Sequence, residues 1–299
     1  SWKSEFGIQT SDRKIERYYG PITYTGRKNA GKPVAEIQSQ ERPRWRTAHT
    51  LNFKLRNLKG IHSLSAVAGF EAMSEENRSI ISSSRMFPED FTPQKAFDRM
   101  QSGSTEYTIT NNGADTRLAS FFGRANYTLK DRYLFTATVR ADGSTKFAPG
   151  NQWGIFPSAA FAWRISSEPF LKNVSQIDDM KIRLSYGEAG NNRIDNDMWR
   201  RTYVGAITSP VAGVGNVPNL YYENTSSTLI NPSLKWETTI TRNFGIDYSF
   251  FNNRLSGTID FYWNTTKDLL LKSVVPASSG YNDQLRNIGQ TSNRGFEFS

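Results

Sequence analysis

The sequence contains no cysteine, which excludes disulfide bonds and thiolate-bound metals. It has only two histidines, His49 and His62, and they flank a single short turn. The GxSxG, HExxH and complete P-loop motifs are all absent, so neither a nucleophile with its base nor a phosphate cradle can be recognised. We therefore expect that this chain is not an enzyme and that it carries no cofactor.

A long hydrophobic run is missing as well. No stretch of 18 consecutive apolar residues occurs, so no transmembrane helix is predicted, and no secretory signal peptide is visible. The first residues, "SWKSEFGIQT", and the last, "NRGFEFS", both alternate as strands do. We expect the chain to be a fragment of a longer protein.

Aliphatic side chains are scarce and aromatic ones are plentiful. Apolar residues make up 37% of the chain, below the roughly 45–50% of ordinary globular domains, whereas aromatic residues reach 13%. The net charge of +9 indicates acidic partners, such as anionic lipid or lipopolysaccharide phosphates. Because the basic residues are scattered along the chain, nucleic acid is not expected among the partners.

The dominant pattern is an alternation with a period of two residues, which is typical of strands exposed to two different environments. It predicts an all-β fold of about ten strands, most of which have the roughly 9–11 residues that a tilted strand needs to cross a bilayer. The predicted strands lie near residues 3–9, 44–56, 61–72, 116–128, 133–141, 154–165, 180–187, 235–250, 254–271 and 292–299.

The predicted connections alternate between short and long. Short turns lie at 57–60, 129–132 and 251–253, and a medium link with one possible helical turn spans 166–180. Long loops are predicted at 11–43, 73–115, 142–153, 188–234 and 272–291. In an up-and-down sheet this places every short turn at one edge and every long loop at the other. Transmembrane β-barrels show the same asymmetry.

The two faces of the predicted strands differ in chemistry. One face has large apolar side chains, and the aromatic ones beside the short turns suggest a girdle at the membrane boundary. We predict that this lipid-facing set includes Tyr127, Tyr133, Phe135, Phe161, Trp163, Tyr248 and Phe250. The other face has small hydroxyl, amide and charged side chains that suit a water-filled lumen, and it includes Thr136, Arg140, Ser158, Arg164, Asp247 and Asp260.

A soluble module is the alternative from a different class. A secreted all-β adhesin or glycan-binding domain, packed as a sandwich, would alternate in the same way. It would remain monodisperse without detergent, whereas a barrel segment would aggregate. The small polar residues on the second face and the interleaved loop lengths favour the membrane barrel.

Several stretches resemble a known family. "RADGSTKFAPGNQWGIFPSAAFAWRISSEPFLK", "RLASFFGRANYTLKDRYLF", "MKIRLSYGEAGN", "NPSLKWETTITRNFGIDYSFFNNRLSGTIDFYWNTTKDLLL" and "NIGQTSNRGFEFS" are similar to segments of SusC/RagA-type, TonB-linked outer-membrane proteins. The resemblance covers roughly residues 116–299, and 44–72 fit it too.

The resemblance implies a fold, a location and partners. The fold would be an antiparallel up-and-down barrel of about 22 strands. Residues 1–299 would be part of its barrel domain, an open curved sheet without the plug domain and the C-terminal strands. The protein would lie in the bacterial outer membrane and import glycans or peptides, with TonB acting through the absent plug and a SusD-like surface lipoprotein as a lid. A siderophore or cobalamin receptor remains the alternative within this class.

The long loop at 188–234 is the richest candidate for ligand contact. Its aromatic and basic side chains suit stacking on sugar rings, binding to a peptide backbone or contact with a lid, and simple loop packing is the competing explanation. The candidates are Trp199, Arg200, Tyr203, Tyr221 and Tyr222. Acidic residues in the same loop, Asp195 and Asp197, lack the spacing of a calcium loop and are expected to be solvated.

Overall fold

The computed structural model describes residues 1–58, 60–113, 115–171, 174–201, 203–205, 222–224 and 226–299. The chain is almost entirely β-structure. The strands are β1 Trp2–Tyr19, β2 Val34–Leu58, β3 His62–Glu75, β4 Arg78–Arg85, β5 Ser104–Asn112, β6 Thr116–Leu129, β7 Tyr133–Ser144, β8 Trp153–Arg164, β9 Ile177–Asn191, β10 Tyr203–Gly205, β11 Tyr222–Asn224, β12 Thr228–Leu229, β13 Glu237–Phe250, β14 Leu255–Lys267, β15 Leu270–Val274, β16 Asp283–Asn287 and β17 Gln290–Phe298.

Helices are few and short. They are α1 Tyr24–Lys28, α2 Pro93–Asp98 and the 3₁₀ turns Met100–Ser102, Ile165–Ser167 and Ala277–Ser279. Threonine side chains cap both α-helices: Thr23 accepts a hydrogen bond from the Gly26 amide, and Thr92 from the Lys95 amide. None of the helices within the described ranges is long and apolar enough to cross a membrane.

Twelve strands form one open antiparallel sheet. Its order is β17-β14-β13-β9-β8-β7-β6-β3-β2-β4-β5, and β1 also pairs with β2. From β6 to β9 each strand pairs with the next in sequence, as in an up-and-down sheet. The chain then leaves this sheet after β9 and returns as β13, directly beside β9. The small sheet β10–β11 lies within this excursion, and β12, also within it, pairs with β16 of the β14–β17 connection, which in turn pairs with β15.

The predicted all-β, up-and-down fold is confirmed, and two predicted loops are wrong. The segment 73–115 contains β4, α2 and β5, and the segment 11–43 contains the second half of β1, the helix α1 and the start of β2. Strand β4 has the sequence "RSIISSSR". Because serines occupy half of its positions, apolar and polar residues do not alternate, and no strand is predicted. Its backbone nonetheless pairs with β2 on one side and β5 on the other.

Several boundaries also differ from prediction. The strand predicted at 3–9 extends to Tyr19, and the segment predicted as one strand at 254–271 is divided between β14 and β15. The medium link contains the 3₁₀ turn Ile165–Ser167, and β9 begins at Ile177, so Asp178 and Asp179 lie in the strand. Sequence periodicity therefore locates most strands but not their ends.

The chain divides into two compact units, each with its own small core. The first comprises residues 1–5, 48–72 and 118–299, and the second comprises 6–47 and 73–117. In the second unit Ala35, Phe87 and Ala96 are buried together. In the first unit the buried cluster is Phe147, Phe156, Ile194, Leu234 and Trp236, hereafter the loop cluster.

Candidate functional site

The strand register of the first unit separates two surfaces of opposite chemistry. Directly paired residues share a face of a sheet, and residues one position along the strand point to the other face. One row of directly paired residues crosses seven strands and is wholly apolar or aromatic: Tyr127, Phe135, Phe161, Leu184, Phe244, Phe261 and Phe296. We call this the apolar face and the opposite one the polar face.

Every residue of each predicted set lies on a common face. The seven residues predicted to contact lipid lie on the apolar face, and the six predicted to line a lumen lie on the polar face. On the apolar face Phe135 and Phe161 pack with their ring centroids 4.9 Å apart, and Tyr248 stacks on Phe250 at 5.6 Å. Which solvent each face meets stays a prediction at this point.

Four charged side chains form a compact group on the polar face, hereafter the charge centre. The Arg183 guanidinium donates to Asp247 Oδ1 at 2.9 Å through Nε and to Asp260 Oδ2 at 3.1 Å through Nη2. Lys181 Nζ lies 2.7 Å from the other oxygen of Asp247. Each carboxylate is thus paired with a cation, and Arg183 joins strands β9, β13 and β14.

A glycine makes room for the charge centre. Gly245 is directly opposite both Arg183 and Asp260 in the strand register. A Cβ atom at this position would lie 2.5 Å from Asp260 Oδ1 and 2.7 Å from Arg183 Nη2. Any larger residue would therefore displace the guanidinium from its carboxylates.

A second ionic group on the polar face surrounds Arg140. Its Nε donates to both oxygens of Asp142, at 2.7 and 2.9 Å, and its Nη2 donates to the buried hydroxyl of Ser120 at 2.9 Å. Glu71 lies 3.9 Å away and the ring of Phe122 lies 5.7 Å away. Arg140 therefore joins β7 to β6 on the polar face near the long loops.

The loop cluster packs where the long connections leave the sheet. Phe147 comes from the β7–β8 connection, Ile194 from the segment after β9, and Leu234 and Trp236 from the segment before β13. The Trp236 ring packs against Phe147 at 5.3 Å and against Phe156 at 5.5 Å. Phe156 was missed by the sequence analysis, although it is an aromatic residue at a position that the alternation assigns to the polar face.

Hydrogen bonds between the loops reinforce this packing. Lys146 Nζ donates to the Ile194 carbonyl at 2.7 Å, and Asn151 donates to the Pro232 carbonyl at 3.2 Å. The Trp236 indole donates to the Gln152 carbonyl at 2.9 Å. Further along, Gln284 donates to the Ile230 carbonyl at 2.8 Å. Three connections that are far apart in sequence thus form one ordered platform at a single edge of the sheet.

Two of the predicted ligand-contact residues lie on this platform. The Trp199 indole donates to the Thr145 carbonyl at 3.4 Å, and the Arg200 guanidinium lies 5.7 Å from its ring. Arg200 also pairs with Asp197, which is therefore not simply solvated. The adjoining cavity of about 50 Å³ is too small for a sugar ring.

The three tyrosines predicted for the same role are less informative. Tyr203 and Tyr222 belong to the paired strands β10 and β11, whose backbones are described but whose side chains are not. Tyr221 lies outside the described residues. Their contact with ligand remains a prediction.

The remaining predicted residues have ordinary structural contacts. Thr136 donates to Asn126 at 3.0 Å, and Arg164 donates to the Asp131 carbonyl at 3.4 Å. Ser158 lies half-buried opposite Thr138. The Tyr127 hydroxyl lies 2.7 Å from His62 Nδ1, so this histidine is part of a hydrogen bond near a short turn.

A buried carboxylate holds two of the aromatic residues beside the short turns. Glu168, only 7% exposed, follows the 3₁₀ turn after β8. Its Oε1 accepts the Tyr133 hydroxyl at 2.6 Å and the Trp163 indole at 3.0 Å, and its Oε2 accepts Arg132 at 2.9 Å. Glu168 was not predicted from the sequence, because Tyr133 lies 35 residues before it.

These contacts make the stability of the turn region around Glu168 depend on pH. Hydrogen bonds from Tyr133 and Trp163, assisted by the charge of Arg132, hold the pKa of Glu168 below its usual value. A lowered folded-state pKa contributes stability above the ordinary carboxyl pKa of about 4.3. This contribution is lost as the pH falls through the folded-state pKa. We expect Glu168→Gln to lower the thermal midpoint at pH 7 and to lower it progressively less towards pH 3.

The difference in thermal midpoint between wild type and Glu168→Gln separates the contribution of Glu168 from that of other carboxylates that titrate in the same pH range. Thermal midpoints of wild type and Glu168→Gln are measured across the pH series, with Glu89→Gln, at an exposed position, as the matched control. The control should follow wild type at every pH. A gap between wild type and Glu168→Gln that stays constant from pH 7 to pH 3 would show that the carboxylate charge has no role.

Comparison with known proteins gives a match over nearly the whole chain. The model of the family described as "TonB dependent receptor-like, beta-barrel" matches residues 3–299. The TonB-dependent receptor SusC of Bacteroides thetaiotaomicron is 39% identical over 217 residues, covering 70% of this chain and 20% of SusC. The TonB-dependent receptor P3 of Formosa agariphila is 31% identical over 303 residues, covering 100% of this chain and 28% of that receptor. The chain therefore spans less than a third of the length of these relatives.

Solved structures show the same fold. The RagAB peptide transporter superposes with a TM-score of 0.79 at 24% identity, over 99% of this chain and 31% of that one. The copper transporter OprC superposes with a TM-score of 0.51 at 14% identity, over 99% of this chain and 40% of that one. At these identities the likeness concerns the fold alone.

Proposed function

Since the chain belongs to the TonB-dependent receptor β-barrel family, it is a protein of the bacterial outer membrane, and we propose that it forms part of the barrel of an importer for large nutrients. The proposed substrates are glycans or peptides. The proposed partners are TonB, acting through a plug domain, and a SusD-like surface lipoprotein. Residues 1–299 would supply one section of the barrel domain.

The observation that carries this proposal is the unbroken family match over residues 3–299 together with 39% identity to SusC. The fold of the RagAB peptide transporter is compatible with the same mode of import. A section of barrel wall needs no bond-making chemistry, so we assign no residue of the chain a catalytic role.

Within the barrel we propose that the apolar face contacts lipid and the polar face lines the passage. The seven-strand apolar row supports this orientation, because lipid-facing strands expose large apolar side chains without packing them in a core. Phe121, Phe135 and Phe261 are about half exposed. On the opposite face Arg183, Asp247 and Asp260 form their ion pairs, as suits a wet lumen.

The loop platform is the proposed extracellular end. Long loops of outer-membrane barrels lie outside the cell, and short turns lie in the periplasm. The loop cluster would hold these loops in place, with Trp199 and Arg200 available at its surface for ligand or for the lipoprotein. Import would then proceed by binding at the loops, opening of the plug by TonB, and passage of the substrate along the polar face.

Uptake by cells tests this proposal. A strain lacking the gene that encodes this chain is supplied with labelled oligosaccharides, with labelled peptides or with a labelled ferric chelate, and each uptake is compared with that of the complemented strain. Loss of oligosaccharide or peptide uptake, also seen on depletion of TonB, is expected. Normal uptake of both, with loss of the chelate alone, would replace this proposal by a siderophore receptor.

A further inference from the structure

The connection between β1 and β2, hereafter the tip loop, exposes apolar side chains to solvent. It comprises residues 20–33 and includes the helix α1. Ile22 is 88% exposed, the largest fraction among the large apolar side chains of the described residues, and Tyr24 is 67% exposed. Single exposed apolar residues are ordinary on a protein surface. Two within three residues form a patch whose burial against a partner is favourable.

Hydrogen bonds within the tip loop hold its backbone in one conformation. The amide and the hydroxyl of Thr23 both donate to the Gly20 carbonyl, at 3.1 and 2.8 Å. The Gly26 amide donates to the Thr23 hydroxyl at 3.0 Å. The Asn29 side chain donates to the Lys32 carbonyl at 3.0 Å. A Cβ atom at Gly26 would lie 2.2 Å from the Gly20 oxygen, so only glycine fits this turn. The two exposed side chains therefore stand on a preformed support, and docking them costs little backbone entropy.

The charges of the tip loop have one sign. Residues 18–35 include Arg27, Lys28 and Lys32 and no acidic residue. Arg27 and Lys28 are exposed, and none of the three cations forms an ion pair within the part of the chain that the structure describes. Lys28 Nζ lies 4.6 Å from the centre of the Tyr24 ring, so a cation adjoins the apolar patch. Such a surface is complementary to an apolar pocket bordered by carboxylates.

The tip loop lies far from the short turns. It precedes β2, whose 25 residues end at Leu58, next to a short turn. At roughly 3.3 Å per residue this strand is about 80 Å long, which is about 56 Å in height at a tilt near 45°. The apolar band of an outer-membrane barrel is only about 25 Å tall. With the short turns at one boundary of that band, the tip loop stands about 30 Å beyond the other boundary.

Three other occupants of the patch fit less well. Lipid is too far away at this height. A second copy in a two-fold contact would bring two basic loops together, and like charges across an interface repel each other. An anionic polysaccharide would neutralise the cations but would leave Ile22 exposed, since this side chain has no hydrogen-bonding group. A protein with an acidic surface neutralises the cations and buries Ile22 in the same contact.

We propose that the tip loop docks on an acidic surface of the SusD-like lipoprotein. Ile22 and Tyr24 occupy an apolar pocket of that protein, and Arg27 and Lys28 pair with carboxylates at its rim. A few buried anchors within a polar rim supply most of the binding energy in such interfaces. The inference rests on the proposed function, because it requires the long connections to lie outside the cell and a surface lipoprotein to be present there.

Binding between the two purified proteins tests this docking site. The receptor that carries the chain is kept in detergent, and the SusD-like lipoprotein encoded beside it is immobilised without its lipid. Ile22→Ser is expected to raise the Kd about tenfold or more, as the loss of an interface anchor does. Ile22→Leu keeps an apolar side chain and should bind within about threefold of wild type. Phe170→Ser removes an apolar residue that is 66% exposed at the short-turn edge, and this matched control should bind as wild type.

The cations are tested separately. Arg27→Gln combined with Lys28→Gln should slow association about threefold or more and make the Kd less dependent on salt, because charges at the rim of an interface act mainly on the association rate. Lys130→Gln combined with Arg254→Gln removes the same charge from exposed positions at the short turns. This control should leave both the association rate and the salt dependence unchanged.

The outcomes separate the tip loop from the wider proposal. An unchanged Kd in Ile22→Ser and in the Arg27/Lys28 double variant would overturn the tip loop as the docking site and leave the lipoprotein as the partner. Failure of the wild-type receptor to bind the lipoprotein would overturn that partner, which belongs to the proposed function. Self-association of the receptor that Ile22→Ser abolishes would assign the patch to a second copy and overturn the docking on the lipoprotein.

Discussion

Replacing Trp236 by alanine is expected to destabilise the loop platform by about 3–5 kcal/mol, the usual cost of removing a buried tryptophan. The side chain is 8% exposed and packs against Phe147 and Phe156. Its loss leaves a cavity and an unsatisfied carbonyl at Gln152. Hydrogen exchange of peptides covering 144–156 and 230–237 should accelerate by about a hundredfold or more, because each 1.4 kcal/mol corresponds to a factor of ten.

The matched control for this change is Trp153→Ala. Trp153 is 53% exposed and lies at the start of the same strand as Phe156. Its truncation should cost less than about 1 kcal/mol and leave exchange in the loops nearly unchanged. If the two substitutions accelerated exchange equally, the loop cluster would not be the element that orders the platform.

Replacing Phe161 by arginine is expected to reduce the folded fraction of the receptor in membranes, with a free-energy cost of about 2–4 kcal/mol. Phe161 lies in the middle of the apolar row, between Phe135 and Leu184. The adjacent residue, Ala160, points to the polar face between Thr136 and Ser185. Ala160→Arg places the same charge one residue away and should cost less than about 1 kcal/mol.

Equilibrium unfolding of both variants in lipid vesicles measures this difference. The pair is informative because composition, net charge and position along the strand are nearly matched, and only the face differs. A larger cost for Ala160→Arg than for Phe161→Arg would reverse the assignment of the faces. Equal costs would show that the two faces do not differ in their contact with lipid.

The strands from β6 to β9 and the pair β13–β14 were predictable because each has one face of mainly apolar residues and one face of mainly polar residues. Apolar and polar residues alternate there with few exceptions, such as Phe156 in β8, and the short turns contain few residues. Strands β4 and β5 were not predictable in the same way. In "RSIISSSR" small hydroxyl residues occupy both faces, so the local pattern does not predict a strand. The segment is a strand because its backbone pairs with β2.

The sequence predicted on which face of the sheet each residue of the candidate site lies, but it did not predict which side chains contact each other. Alternation assigns Asp247 and Asp260 to one side, but only the strand register brings both to Arg183. Glu168 likewise gains its role partly from Tyr133, which lies 35 residues before it and reaches it only through the pairing of β7 with β8.

The route from β9 to β13 has a consequence for how such receptors diversify. After β9 the described residues 192–201 and 226–236 contribute to the loop platform, and β13 then pairs in register beside β9. The entropy of closing a loop grows only with the logarithm of its length, at about 0.6 kcal/mol for each doubling. The wall therefore tolerates changes in the length of the β9–β13 connection as long as Ile194, Leu234 and Trp236 keep their packing, and new specificities can evolve there while the neighbouring strands keep their pairing.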